Sequence, residues 1–195
     1  MVGLVSMKRE PDRLVLFTDA VVAIAITLLV LPLVEITAEP DEGPPIELVS
    51  HHWPQIFSFL LSFAVIAQLW FTHHRLFENV REYTTPLMVL NMAWVLTIVV
   101  LPFPTELVGT YGDDTFVKLF YVGTVLASSV LLTAMTLLVH GNPRIGREVA
   151  GLSRPVVLRA VLPAVLLLLA FVLVPFISYY SMLLLLLSPL ASRIR

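Results

Sequence analysis

Six long runs of apolar residues constrain this chain more than any other feature of its sequence. They cover residues 14–34, 54–72, 85–103, 115–139, 155–174 and 178–191. A helix needs about 20 apolar residues to cross the ~30 Å hydrocarbon core of a bilayer. Only 13% of the residues are charged, and the mean hydropathy is +0.91. The sequence therefore predicts an all-α polytopic membrane protein, with six transmembrane helices in one domain that covers residues 1–195.

The basic residues mark one side of the predicted bundle. Eleven of the twelve lysines and arginines would lie on the side that holds both chain ends, and only Lys118 would lie on the other. Cytoplasmic loops of membrane proteins are enriched in these residues, so we expect cytoplasmic N- and C-termini. Arginine outnumbers lysine ten to two. This bias suggests a GC-rich bacterial source and hence the cell membrane of a bacterium.

Acidic residues collect on the opposite side. Five of them lie in or beside the predicted loop between helices 1 and 2, namely Glu35, Glu39, Asp41, Glu42 and Glu47, and the first four are the candidate rim residues. One interpretation is an ordinary solvated loop. The other is a rim that concentrates cations, because like charges around a low-dielectric mouth raise the local cation concentration. The two interpretations do not exclude each other.

Helix 1, "RLVLFTDAVVAIAITLLVLPL", carries one apolar stripe and one carboxylate. At about 100° per residue, Thr27, Leu28 and Leu31 fall within about 60° of Ile24, whereas Asp19 lies roughly 140° away. Copies of this helix around an axis would form stacked apolar rings with one hydroxyl layer at Thr27. The alternative is a leucine and isoleucine seam of the usual kind, packed against a neighbouring helix.

The end of helix 2, "QLWFTHHRLF", places Trp70, His73 and His74 near the same membrane surface as Asp19 and Arg13. An Asp–His–Trp cluster with a nearby arginine is therefore geometrically plausible. The alternative is an interfacial belt of aromatic and basic side chains. No metal site is predicted, because the chain has no cysteine and no HExxH spacing, and two adjacent histidines of a regular helix do not point at one ion.

The stretch "ELVGTYGDD", Glu106–Asp114, resembles a scrambled T-V-G-Y-G potassium filter, whose backbone carbonyls replace the hydration shell of K⁺. Such a filter needs a pore helix before it, and Pro102 and Pro104 oppose a helix there. We therefore expect no carbonyl filter. The predicted structure is a tight turn outside the membrane, with its glycines at positive φ.

The pattern of helix 1 resembles that of the endosomal/lysosomal potassium channel family and its six-helix prokaryotic relatives. Their hallmark is R-x-x-x-F-S-D followed by an apolar run, and Arg13, Phe17, Thr18 and Asp19 stand at its positions. The "W-x-x-H-H-R-L-F" of residues 70–77 resembles the second recurring segment of the family. Threonine replaces the usual serine at position 18, which retains a hydroxyl group.

This resemblance implies a homotetramer in which helix 1 of each subunit lines the pore. It implies a K⁺-preferring channel that needs no cofactor and has no enzymatic activity. Ile24, Leu28 and Leu31 would form the apolar gate, and Thr27 would supply the hydroxyl layer tied to preference for K⁺ over Na⁺. Because Pro32 follows Leu31, Leu31 is the pore residue most exposed to a kink.

The resemblance also implies a hydrogen-bonded network that holds helix 1 in register and does not contact the ions. Its members would be Arg13, Phe17, Thr18, Asp19, Trp70, His73 and His74. Which of the two histidines takes part is left open by the sequence.

Two alternatives from other classes fit the same residues. One is a proton-coupled carrier, in which Asp19 titrates together with His73 or His74. The other is a structural or enzymatic bundle whose polar cluster only packs. Currents at fixed pH without a proton gradient would distinguish the channel from the carrier.

Overall fold

A computed structural model of the chain describes residues 11–36, 44–146 and 153–173. The part that it describes is built from helices: α1 (Pro11–Leu28), α2 (Leu31–Ile36), α3 (Pro45–His51), α4 (Trp53–Glu78), α5 (Thr85–Val100), α6 (Pro102–Tyr111), α7 (Thr115–Gly141) and α8 (Arg154–Leu173).

Five helical segments of the described residues are long and apolar enough to cross a membrane. They are Arg13–Ile36, Trp53–Glu78, Thr85–Tyr111, Thr115–Gly141 and Arg154–Leu173. The second segment continues six residues past the predicted boundary at residue 72, and the third continues eight past residue 103. The predicted sixth run, 178–191, lies outside the described residues.

Pro32 divides the first segment into α1 and α2. The carbonyl of Leu28 would accept a hydrogen bond from the backbone N–H four residues later, which proline lacks. The chain makes tighter bonds instead, from Leu29 N to the Ile26 carbonyl and from Val30 N to the Thr27 carbonyl, both at 3.3 Å. Helix α1 therefore ends at Leu28, and Leu31 begins a new short helix.

Two prolines likewise divide the third segment, and here the expectation from the sequence was wrong. Pro102 and Pro104 begin α6 instead of preventing a helix. The first turn of a helix has no intrahelical use for its N–H groups, so proline is tolerated there. The predicted turn is confined to Gly112 and Asp113, since Gly109 lies inside α6. Gly112 follows α6 with a φ of −57°, so the predicted positive φ does not occur there.

Gly109 serves the contact between α6 and α4. A Cβ atom at this position would lie 2.9 Å from Ser58 Oγ and 3.1 Å from the Gln55 α-carbon. Both distances are shorter than ordinary van der Waals contacts, and the second involves backbone that yields little. The glycine therefore lets the two helices approach each other closely.

Helices α4, α5 and α7 supply most of the buried core. Large side chains fill it, including Trp94, Tyr121, Ile66 and Ile98. Hydroxyl groups connect the helices where the core is otherwise apolar: Thr105 Oγ1 donates to Ser62 Oγ at 2.8 Å, and Ser62 Oγ lies 3.0 Å from Tyr121 Oη. Interhelical hydrogen bonds of this kind stabilise membrane bundles by about 0.6 to 2 kcal/mol each.

The two ends of the bundle differ in charge. One, called the basic end below, is where α1, α5 and α8 begin and α4 and α7 end, and it carries Arg13, Arg75, Arg81, Arg144 and Arg154. The opposite one, called the acidic end, carries Glu35, Glu47, Glu106, Asp113 and Asp114. At the basic end a backbone bond from Arg81 N to the Ile145 carbonyl, at 2.8 Å, joins two loops.

Candidate pore face and the network behind it

One face of α1, which Leu31 of α2 continues, has no partner among the residues that the structure describes. Ile24 is 59% exposed, Leu28 is 41% exposed and Leu31 is 51% exposed. The opposite face is sealed, since Val22 and Ala25 are almost fully buried. The residues that the helical periodicity placed on one side therefore lie on the surface of the single chain. Together Ile24, Thr27, Leu28 and Leu31 are called the pore face below.

Thr27 is the hydroxyl residue of the pore face. Its Oγ1 donates to the Ile24 carbonyl of its own helix at 2.8 Å. This bond uses the hydroxyl hydrogen, which leaves the oxygen lone pairs to face outward as acceptors. Thr27 is exposed, so its oxygen is accessible to a cation or a water molecule beside α1.

Asp19 points away from the pore face and is bonded to α4. Trp70 Nε1 donates to Asp19 Oδ1 at 2.8 Å. A carboxylate roughly doubles the strength of a hydrogen bond compared with a neutral acceptor. The bond fixes the rotation of α1 about its own axis, because Asp19 must face α4.

Thr18, the neighbour of Asp19, connects α1 to a third helix. Asn91 of α5 donates from Nδ2 to Thr18 Oγ1 at 2.9 Å, and its Oδ1 lies 2.6 Å from His73 Nε2. An amide oxygen only accepts, so His73 Nε2 carries the hydrogen of that bond. Thr18, Asn91 and His73 are all completely buried. One amide thus ties α1, α5 and α4 together.

Aromatic rings enclose His73 on both sides. Its ring lies 4.4 Å from that of Trp94 with a 10° interplanar angle, and 4.3 Å from that of Phe77 with a 25° angle. Such stacking adds to the energy of burial. The rings and Asn91 together hold the imidazole in one orientation.

His74 has a different environment from its neighbour. Its ring lies 5.4 Å from that of Trp70, and its Nε2 lies 3.8 Å from a Glu78 carboxylate oxygen. His73 therefore belongs to the buried network, and His74 packs on the outer surface of α4 beside Trp70. Adjacent residues of a helix point about 100° apart, which accounts for this separation.

The remaining predicted residues lie elsewhere. Arg13 and Phe17 are exposed on the subunit surface, outside the hydrogen-bonded network of the described residues. Glu35 is exposed at the end of α2. The other three predicted rim residues, Glu39, Asp41 and Glu42, fall outside the described residues.

Asn91 and Trp94 surround His73, and reasoning from the sequence did not assign them to the network. For Asn91 the sequence predicts close helix packing and interhelical hydrogen bonds, which the structure confirms. Trp94 is one more member of the apolar run of its helix. A lone amide in the middle of an apolar helix is the signal that was available, since polar groups in a membrane need partners. The sequence does not name those partners, because they come from α1 and α4.

The chain is similar to known channels in both sequence and fold. The family model for the endosomal/lysosomal potassium channel TMEM175 matches residues 13–102. A potassium channel of Streptomyces collinus is 32% identical over 102 residues, which are 52% of this chain and 49% of that protein. The endosomal/lysosomal proton channel TMEM175 of Danio rerio is 23% identical over 138 residues, or 71% of this chain and 26% of that protein.

A solved structure extends the similarity over most of the chain. The crystal structure of a lysosomal potassium-selective channel TMEM175 homolog from Chamaesiphon minutus matches with a TM-score of 0.73 and 29% identity, covering 90% of this chain and 92% of that one. By contrast, this chain spans about half the length of the Streptomyces relative and about a quarter of the Danio rerio relative. These matches confirm the resemblance inferred from helix 1 and the all-α membrane fold.

Proposed function

We infer that this multi-pass membrane protein is a K⁺-preferring cation channel, because residues 13–102 match the family model for the endosomal/lysosomal potassium channel TMEM175. Its conduction path is lined by α1, and it has no carbonyl selectivity filter. The observation that carries the proposal is the pore face, which is exposed although Asp19 and Thr18 bond α1 to α4 and α5.

A pore lined by this face would need copies of the chain around an axis. Four subunits are proposed, as the family resemblance implies. Each apolar layer would then form a ring, with Ile24 as the narrowest and Leu28 and Leu31 as further layers. A hydrocarbon ring offers an ion nothing in place of its water, so the narrow state is dewetted and the wide state passes a largely hydrated cation.

Preference for K⁺ is assigned to Thr27. Lipid would accommodate Ile24, Leu28 and Leu31 equally well, but an outward hydroxyl oxygen has no use in lipid. In a pore, four such oxygens would form one ring of acceptors next to the apolar gate. A K⁺ ion loses its hydration water more readily than the smaller Na⁺, so the ring favours K⁺ modestly.

The charge of the two ends supports an orientation. The basic end is proposed to face the cytoplasm, with both chain ends, in the cell membrane of a bacterium. Glu35, with the predicted rim residues Glu39, Asp41 and Glu42, would then lie outside the cell and concentrate cations near the pore.

The experiment that tests the proposal is an ion flux measurement on the purified chain in liposomes. With equal pH on both sides, an outward K⁺ gradient should drive a current whose reversal potential is displaced from zero toward the K⁺ equilibrium potential when Na⁺ is the opposing cation. A chain that passes neither ion at fixed pH would refute the proposal.

A second candidate is proton conduction, and the observation that favours it is the description of the Danio rerio relative as a proton channel. The Asp19–Trp70 bond and the buried Asn91–His73 bond offer groups that a proton relay would use. A pH gradient without any K⁺ gradient separates the two candidates. A current that follows the pH gradient and disappears in Asp19→Asn would favour protons, and a current that ignores it favours K⁺.

A further inference from the structure

A cavity at the acidic end lies apart from the pore face. It occupies about 260 Å³ between α1 and α2 on one side and α4 and α6 on the other. None of Ile24, Thr27, Leu28 and Leu31 lines it. A substance held here would therefore contact the end of the pore helix without standing in the proposed conduction path.

Helical spacing builds the walls of this cavity. From α4 come Gln55, Ser58 and Phe59, and from α6 come Glu106, Gly109 and Thr110. Each set has the i, i+3, i+4 spacing that places side chains on one helix face. The two faces meet closely at Gly109, where even a Cβ atom would come within 2.9 Å of Ser58 Oγ.

The carboxylate and amide oxygens of the lining accept hydrogen bonds. Glu35 of α2 and Glu106 of α6 contribute carboxylates from opposite walls, and the lining contains neither lysine nor arginine. The side-chain Oε1 of Gln55 is buried and accepts no hydrogen bond from any residue that the structure describes. A buried acceptor without a partner is unfavourable, because it has lost its bond to water. The cavity is therefore suited to a ligand that brings both a donor and a positive charge.

Size and apolar surface decide which kind of cation fits. Across the described ranges, no three His, Asp or Glu side chains lie close enough together to hold a metal ion. The volume equals that of about nine water molecules at roughly 30 Å³ each. Apolar residues, including Pro32, Leu33 and Phe59, form much of the wall. An aromatic ring face also attracts cations. These features suit an organic cation better than an inorganic one.

We propose that this cavity is a binding site for a small organic cation that carries N–H donors, such as an alkylated guanidinium of about eight non-hydrogen atoms. Glu35 and Glu106 neutralise its charge and accept its N–H bonds. Gln55 Oε1 accepts a further N–H bond once its amide turns toward the cavity, and the alkyl group packs against Leu33 and Phe59.

The test uses the full chain in lipid nanodiscs and two probes of equal size. n-Butylguanidinium carries the charge, and n-butylurea is its neutral counterpart with N–H donors. Saturation-transfer NMR measures binding of each, and empty nanodiscs measure partition into lipid. We expect saturable binding of the guanidinium alone. Equal binding of both probes, or no binding above empty nanodiscs, overturns the proposal.

Variants locate the site. Glu35→Gln and Glu106→Gln each keep the side-chain shape and should weaken binding by about twofold to fivefold, the range for a partly exposed ion pair. The double variant should lose about tenfold if the two effects add. Thr110→Phe fills the cavity from an exposed position and should abolish binding.

Asp113→Asn is the matched control, because it removes an exposed carboxylate of the same end that does not line the cavity. Unchanged affinity is expected. If Asp113→Asn weakens binding as much as Glu106→Gln does, the probe senses only the overall charge and the proposal fails. Binding is measured without ion flux, so its failure is distinguishable from failure of the channel proposal.

Discussion

Thr27 is the one residue of the pore face that offers an oxygen to a passing ion. Its hydroxyl hydrogen is committed to the Ile24 carbonyl. The helix therefore fixes the direction of the oxygen lone pairs, because this bond prevents free rotation of the hydroxyl group. A selectivity element built from one such side chain per subunit discriminates weakly, since each oxygen contributes about the energy of one ordinary hydrogen bond.

Thr27→Ala is expected to lower the K⁺/Na⁺ permeability ratio by about twofold to tenfold, as the loss of ~0.5–1.5 kcal/mol predicts. Reversal potentials under bi-ionic conditions measure the ratio. Thr136→Ala is the control, because Thr136 makes the same kind of bond within α7, from Oγ1 to the Leu132 carbonyl at 2.8 Å. An unchanged ratio in Thr27→Ala would remove Thr27 from the mechanism.

Ile24→Asn is expected to raise the resting K⁺ leak by about fivefold or more. An amide holds water where the isoleucine excludes it, and one polar group changes the cost of wetting by about 1 to 3 kcal/mol. Liposome flux at zero stimulus measures the leak. Leu96→Asn introduces the same side chain at a 62% exposed position of α5 and should leave the leak unchanged. Equal leaks in both variants would show that Ile24 is no gate.

Individual residues of α1 were predictable from sequence because helical period alone separates Ile24 from Asp19. The partners of Asp19 were only partly predictable. Trp70 belongs to the recognisable W-x-x-H-H-R-L-F motif. The roles of Asn91 and His73, in contrast, depend on how three helices pack together. The choice between His73 and His74 needed the rotation of α4, which an almost uniformly apolar helix does not reveal.

At the scale of elements, two bonds from neighbouring residues hold α1. Asp19 bonds to α4 and Thr18 bonds to α5, so the helix resists both rotation and displacement. Prolines mark the helix boundaries. Helix α1 ends at Leu28, four residues before Pro32, and α6 begins with Pro102 and Pro104 in its first turn. In the sequence both proline sites suggest helix breaks, although a proline that ends one helix also suits the first turn of the next.

Asn91→Leu is expected to lower the free energy of unfolding by about 1 to 3 kcal/mol, since Thr18 and His73 both lose a buried partner. Denaturation in mild detergent measures the change. Thr97→Val on the same helix removes only a bond within α5, to the Trp94 carbonyl, and should cost less than about 1 kcal/mol. If Asn91→Leu is no more destabilising than Thr97→Val, the amide does not tie the helices together.

At the scale of the whole molecule, the proposed pore exists only between subunits. Within the described part of a single chain the pore face is exposed, and the buried core lies among α4, α5 and α7. Oligomer formation is therefore the step that would give α1 its function.

Leu28→Cys is expected to form disulfide-linked dimers under mild oxidation in the membrane, because copies of the pore face meet around the axis. The natural chain contains no cysteine, so the new thiol has no partner except another copy. Non-reducing electrophoresis detects the product. Leu96→Cys, on the exposed surface of α5, should remain monomeric. Crosslinking at Leu96 but not at Leu28 would place another surface at the centre.

Because Trp70 is bonded to Asp19, its fluorescence can report the position of α1 relative to α4. The chain has three tryptophans. Trp94 is sealed in the core, and Trp53 is half exposed at the acidic end, so only the indole of Trp70 reads the position of α1 through a direct bond. Replacing Trp53 and Trp94 by phenylalanine would leave Trp70 as the single tryptophan. Its fluorescence emission maximum should then shift whenever α1 turns away from α4.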